Sequence, residues 1–406
     1  MSMFFSRVRT AAARIPPPVR RILLHSALFG FAGSIADLLF NFYLVSLGYG
    51  NDVVGLFSTI YRMAGVVLGL PIGLLIDRLG PRRALMAGIT IYSLGWVALL
   101  LLAELPALAS AQFLVGAAQL LTTTSVVPLL TSVTHSSKRA SIFGLNASAA
   151  LMIGLAGSAV AGVLPALAAN MLQIDPQATN AYRVALMSVV VLALLAIVPI
   201  MRALPDRPLD DPAEAQWALS ARVPALGLLR YALPSFLLGV GGGVILPFQN
   251  LFFRDLFGLD DAAVGLVLAL TALGMGLGAA LGGPVSNRIG LRRAAWVLRM
   301  CAGPAMLLML VPFLPIAIAG FFLRGMFVAA SYPLNDALVM QTTPPRQRGA
   351  AVSLMSILWS LGWAGAAALS GWSQVALGFT PALICSALTY ALSALAIAYH
   401  RPEATG

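Results

Sequence analysis

The stretch Gly73-Leu74-Leu75-Ile76-Asp77-Arg78-Leu79-Gly80-Pro81-Arg82-Arg83 returns 210 residues later as Gly283-Pro284-Val285-Ser286-Asn287-Arg288-Ile289-Gly290-Leu291-Arg292-Arg293. Each copy follows a long apolar run and carries glycine, a polar residue, arginine, glycine and an arginine pair at one spacing. Gly73 lets a neighbouring helix approach closely. Gly80 and Gly290 permit a tight turn, and Arg82 and Arg83 hold such a loop at anionic headgroups. Asp77 beside Arg78 can pair with an arginine or cap a helix N-terminus. Asn287 is neutral and pairs more weakly. Two further matches fall at nearly the same offset. Asn41 to Gly55 runs parallel to Asn250 to Gly265 with one inserted residue, and Lys138-Arg139-Ala140 parallels Gln347-Arg348-Gly349. Together they argue for duplication of a six-span unit, an arrangement that places a solute site between the halves.

Working outward, the chain of 406 residues is 60% hydrophobic and 10% charged. A soluble domain carries about 25% charged residues, so lipid must be the solvent for most of this surface. The 38 glycines and 25 prolines are compatible with spanning helices. About 20 apolar residues cross the hydrocarbon, and that length predicts twelve spans. They are 22–47, 53–76, 84–103, 108–133, 141–168, 182–201, 228–253, 263–286, 294–313, 316–341, 350–374 and 379–399. The expected fold is an all-α membrane protein of two pseudo-symmetric six-helix bundles, 22–201 and 228–399. A polar linker over 202–227 joins them, with tails at 1–21 and 400–406; Glu214 to Arg222 can form a surface helix.

Basic residues cluster in alternate loops: Arg7 to Arg21, Arg78 to Arg83, Lys138 and Arg139, the linker, Arg288 to Arg293, Arg346 and Arg348, and Arg401. The other loops hold Asp52, Glu104, Asp175, Asp255, Asp260 and Asp261. By the positive-inside rule both termini are cytoplasmic. The formal charge of +11 is thus a topology signal and not a nucleic-acid footprint. The expected setting is the inner (plasma) membrane, with the protein a monomer. No Ser/His/Asp set, HExxH or phosphate loop is present, so an enzyme is not expected. The cysteines, Cys301 and Cys385, have no metal spacing and read as buried packing residues; no cofactor or metal is expected.

The loop Gly73 to Arg83 resembles the signature loop of the major facilitator superfamily, and the resemblance extends over six plus six spans, the central linker and the second, degenerate copy. It implies that Gly73, Asp77, Arg78, Gly80, Arg82 and Arg83 form a cytoplasmic gate that latches in the outward-open state, with Asn287, Arg288 and Gly290 as its counterpart. It implies also that spans 1, 4, 7 and 10 line a central cavity. That places Asp37, Asn41, Gln112, Gln119, Gln249, Asn250 and Arg324 around the solute, with Phe40, Tyr43, Phe248, Tyr332 and Trp359 as apolar walls.

Ionisable groups inside the hydrocarbon are costly and mark function. Asp37 lies mid-span, and Arg62 on span 2 falls near the same level. Asp37 either carries a coupling proton or forms a fixed ion pair with Arg62. Arg324 either binds an anionic group of the solute or pairs with Asp37 when the site is empty. Asp336, beside Asn335, can meet Arg288 or Arg292 as a second gate. Arg299 is expected to snorkel to the interface. The glycine runs Gly239 to Gly243 and Gly274 to Gly278 read as close packing or a hinge.

These features lead to a secondary transporter exporting an amphipathic small molecule in exchange for protons. The alternatives are a proton-driven importer or uniporter of an organic anion or metabolite, and a non-transporting receptor or assembly factor on the same fold. The drug-antiporter branch of the resembling family carries a Gly-Pro pair in span 5. Here span 5 has Gly154, Gly157, Gly162 and Pro165 without that pair, and Gln112 stands near the place of a basic residue.

Overall fold

In lipid every backbone polar group must be satisfied within the chain, and helices do this locally. The computed structural model describes residues 15–134, 139–201, 225–343 and 347–399. Twelve helices among these are long and apolar enough to cross a membrane. The first half contains α1 (Pro17–Ser46), α2 (Asn51–Leu79), α3 (Pro81–Leu101), α4 (Leu105–Ser132), α5 (Arg139–Leu172) and α6 (Thr179–Leu195, continued by Val198–Met201). The second contains α7 (Ala225–Gly243, continued by a 3-10 turn Leu246–Phe248 and the helix Gln249–Phe257), α8 (Asp261–Ile289) and α9 (Leu291–Leu307). It ends with α10 (Leu314–Thr342), α11 (Arg348–Leu377) and α12 (Thr380–Ala398). Of the linker, 202–224 lies outside the described residues, with the surface helix expected there, as do Lys138 and Arg346.

The two copies of the repeat fold alike. Gly80 and Gly290 adopt φ 79°, ψ 149° and φ 86°, ψ 150°, and their N–H groups close the preceding helices on the carbonyls of Ile76 and Ser286. Positive φ is where glycine carries no steric cost. Each glycine starts the next helix within one residue, so α2–α3 and α8–α9 are matched hairpins.

The halves meet along two seams, α2 on α11 and α5 on α8. Glycines set both. A Cβ on Gly55 would strike the carbonyl oxygen of Ala367, and one on Gly371 would strike that of Asn51. In the other seam, a Cβ on Gly265 would strike the carbonyl oxygen of Ser158, and one on Gly162 that of Asp261. Gly55 and Gly265 are the same position in the repeat, so one duplicated device seals both seams. These contacts lie at the ends of α2, α5, α8 and α11 remote from the arginine-rich hairpins, hereafter the sealed side. Toward the basic side the seams part: Gly69, Gly73, Gly154 and Gly283 have no neighbour within 4 Å of a Cβ position.

The glycine runs are packing devices. Gly239 and Gly243 admit the backbone of Trp359 and Trp363 from α11, and Gly274, Gly278 and Gly282 admit Phe322, Met326 and Ala330 from α10. Two expectations are corrected. Arg299 does not snorkel; it is 1% exposed, donating to Ser331 Oγ (2.8 Å) and Ser393 Oγ (2.9 Å) among α9, α10 and α12. Cys385 is exposed on the outer face of α12, not buried, and Cys301 is half-buried.

Candidate functional site

A cavity of about 890 Å³ lies between the halves. It reaches from Asn41, Leu246 and Pro247 on the sealed side to Gly65, Thr123, Tyr332 and Ser356, and Thr123, Tyr332 and Ser356 are exposed. It therefore opens toward the basic side. Its floor is a reciprocal bond between the repeats. Asn41 Nδ2 donates to Asn250 Oδ1 (2.8 Å) and to the carbonyl of Pro247, while Asn250 Nδ2 donates to the carbonyl of Leu38 (2.7 Å). Each amide thus reaches the carbonyl three residues before its counterpart. The interruption of α7 at Val244 and Ile245 turns Asn250 into this position. Asn250, expected in the cavity, is a fully buried strut beneath it. Tyr43 and Phe248, expected as walls, are also buried elsewhere; Tyr43 donates to the carbonyl of Leu99 (3.2 Å).

Asp37, Asn41, Arg62, Gln112, Gln119, Gln249 and Arg324 all line the cavity. Asp37 is deep within the bundle, yet its side chain is exposed to the lumen. It lies within electrostatic reach of Arg62, Tyr61 and Tyr92. No ion pair within 4.0 Å joins it to Arg62, so the fixed pair is not what orders these helices. Arg62 is held instead by the opposite half. Its guanidinium sits 4.9 Å from the Trp359 ring centroid and 4.8 Å from that of Trp363. Such contacts give about 0.5–2 kcal/mol each. Beside it Thr59 Oγ1 donates to the carbonyl of Ala364 (2.6 Å), and Trp363 Nε1 to Ser58 Oγ (3.4 Å).

Arg324 is 5% exposed. Its Nε (3.1 Å) and Nη2 both donate to Tyr390 Oη, and the guanidinium lies 5.4 Å from the Tyr390 ring centroid. It does not pair with Asp37. Across the lumen Oε1 of Gln112 and Oε1 of Gln119 are buried without hydrogen-bond partners. The walls add Phe40, Phe57, Tyr92 and Trp96, with ring centroids of Phe40 5.9 Å from Phe57 and 5.4 Å from Trp96.

Several of the residues expected to form a gate lie at the surface. Asp77, Arg78, Asn287, Arg288 and Asp336 are exposed, and Asp77 and Asp336 make no ion pair among the described residues. Arg82 Nη2 donates to the carbonyl of Met201 (2.8 Å), which ties its hairpin to α6 of its own half. The sealed side carries a charge cluster not anticipated from sequence. Tyr182 Oη donates to Asp261 Oδ2 (2.8 Å), Arg254 Nη1 donates to Tyr182 Oη (3.2 Å), and Arg254 lies 3.7 Å from Asp261 Oδ1 and 4.6 Å from the Phe42 ring centroid. Phe42 and Tyr182 belong to the first half, Arg254 and Asp261 to the second.

Two bundles around a mid-depth cavity, sealed at one end and open at the other, are the geometry of an alternating-access carrier. The multidrug resistance protein MdtH of Aeromonas hydrophila is 34% identical over 156 residues, 37% of this chain and 38% of that protein. NiaP of Bacillus subtilis, named as a niacin/nicotinamide transporter, is 30% identical over 131 residues, 30% of this chain and 32% of that protein. The chain thus aligns with less than two fifths of the length of these relatives. The crystal structure of a D-xylose-proton symporter superimposes with a TM-score of 0.76 at 15% identity, covering 96% of this chain and 98% of that one, a likeness of fold alone. The profile of the Major Facilitator Superfamily matches residues 22–234 and again 231–406. The chain therefore belongs to the Major Facilitator Superfamily.

Proposed function

We propose that the chain carries an amphipathic organic molecule across the membrane by alternating access, with Asp37 exchanging the coupling proton. The observation that carries this reading is the placement of Asp37. It is the one acid among the described residues that lines the cavity, open to the lumen, and it is not locked to Arg62. A carboxyl group so placed can take up a proton when the cavity faces one side and release it when it faces the other. By the positive-inside rule the arginine-rich hairpins support an orientation in the inner membrane with the open end and both termini toward the cytoplasm. The gate at Asp77 then closes when the sealed side opens.

The relatives named above, a multidrug resistance protein and one named as a putative niacin/nicotinamide transporter, differ in what their names imply as solute, so they leave direction open. Export in exchange for protons suits a cavity loading from the cytoplasm. Import of an organic anion is the second reading, and the two arginines in the lumen favour it. Proteoliposomes with an imposed pH gradient separate these, since antiport and symport respond to opposite gradients. Asp37→Asn is expected to abolish the response to the gradient while leaving exchange of solute for solute. Gradient-driven flux that survives in Asp37→Asn would refute the coupling role.

A further inference from the structure

We infer that the solute is a planar aromatic monocarboxylate, held with its carboxylate on Arg324 and its ring among the aromatic walls. The inference rests on the transporter reading and adds the chemistry of the ligand. It begins with charge. The charged residues lining the cavity are Asp37, Arg62 and Arg324. Asp37 and Arg62 lie within electrostatic reach of each other and offset one another. Arg324 is left as the uncompensated charge. No carboxylate lies within 4.0 Å of it among the described residues, and its hydrogen bonds go to a neutral phenol, leaving Nη1 unbonded. An isolated buried cation is costly, and an anion entering the lumen removes that cost.

Geometry narrows the anion. The guanidinium fork recognises planar, bidentate acids better than a point charge would. One uncompensated charge calls for a monoanion. Gln112 and Gln119 line the lumen opposite the arginine, and their Nε2 groups, which make no hydrogen bond among the described residues, can donate to a ligand there. The lining also holds aromatic side chains with accessible surface, Tyr61, Tyr332, Trp359 and Trp363, backed by the buried rings of Phe40, Phe57, Tyr92 and Trp96. Flat rings stack on such walls, and a cavity of about 890 Å³ accommodates them with water. An aromatic cation would meet Asp37 but also two arginines.

The test uses three probes on one scaffold with the full chain in detergent: 2-naphthoate, 2-naphthamide and 2-naphthylmethylammonium. Saturable thermal stabilisation is expected from 2-naphthoate alone. Arg324→Gln should weaken 2-naphthoate by at least about thirtyfold, the loss seen when one partner of a buried charged pair is truncated. Arg324→Lys, which keeps charge but loses the fork, should fall between. If Arg324→Gln does not fold, Arg324→Lys and Gln112→Leu carry the test, each weakening 2-naphthoate without creating affinity for the amide. Stabilisation by the ammonium probe and not by 2-naphthoate would overturn the assignment, as would unchanged 2-naphthoate affinity in the folded arginine variants. Counterflow of labelled 2-naphthoate in proteoliposomes separates the two readings. Arginine-dependent binding without counterflow supports this site and refutes the transport reading. Flux of other solutes with no binding of 2-naphthoate refutes this site alone.

Discussion

Asn41 and Asn250 occupy the same position in the two copies of the repeat, and they are hydrogen-bonded to each other across the interface at 2.8 Å. Each also reaches the main chain of the other half, at Pro247 and Leu38. The bond closes the floor of the cavity and can exist only while the sealed side stays sealed. Replacing Asn250 removes its bonds to Asn41 and to the carbonyl of Leu38, at a cost of about 1–3 kcal/mol in all. Asn250→Ala is therefore expected to shift the balance of states toward opening on this side by about 5- to 150-fold. Spin labels at positions 52 and 376, with the native cysteines replaced, report that separation. An unchanged distance distribution in Asn250→Ala would remove the clasp from the mechanism.

The glycine seams make a prediction of opposite selectivity. Gly55 and Gly265 leave no room for a methyl group against the carbonyl oxygens of Ala367 and Ser158. Gly55→Ala or Gly265→Ala should destabilise the sealed arrangement by about 1–3 kcal/mol, the usual cost of overpacking. Gly69→Ala, where nothing stands within 4 Å, is the control and should leave the label distances unchanged. Equal behaviour of the three variants would mean that the seam tolerates a methyl group.

Much of this arrangement was legible before the structure, because hydropathy and repeats are local signals. The hairpin glycines Gly80 and Gly290 fold as their spacing implied. Asp37, Arg62, Gln112, Gln119, Gln249 and Arg324 converge on one cavity, as polar residues isolated in apolar spans tend to do. The failures are of two physical kinds. Asn250 left the cavity because α7 breaks into a 3-10 turn at Leu246–Phe248, and a change of helical pitch rotates every later side chain. Arg299 was misread because its partners, Ser331 and Ser393, come from helices distant in sequence, and the contacts of Arg254 with Tyr182 and Phe42 were not foreseen for the same reason. The seam glycines were within reach, since Gly55 and Gly265 end the second matched segment of the repeat.

The hold of Trp359 and Trp363 on Arg62 ties α2 to α11 in the wall of the cavity. Each ring gives about 0.5–2 kcal/mol. Trp359→Leu with Trp363→Leu should free Arg62 to move toward Asp37. Solute exchange is then expected to slow, and the pH dependence of coupled flux to shift, because the arginine alters the electrostatics of the acid. A pH profile superimposable on that of the unmodified protein would show that Arg62 acts only as a helix tie.

Asp77 has a different standing, because it is exposed and without an ion-pair partner among the described residues. A residue that makes no contact here contributes nothing to this state, so Asp77→Asn should leave the thermal stability of the detergent-solubilised protein within about 0.5 kcal/mol of the parent, as for ordinary surface changes. On the proposed gate role its contribution belongs to the opposite state, in which the basic side closes and the acid can bond across to the other half. Transport should therefore fall while membrane insertion and solute binding persist. Labels placed at positions 75 and 352, where the halves stand apart on the basic side, should show the closed population reduced. A variant that transports at the parental rate would leave the acid as a topology anchor and assign the closing of the basic side to other groups.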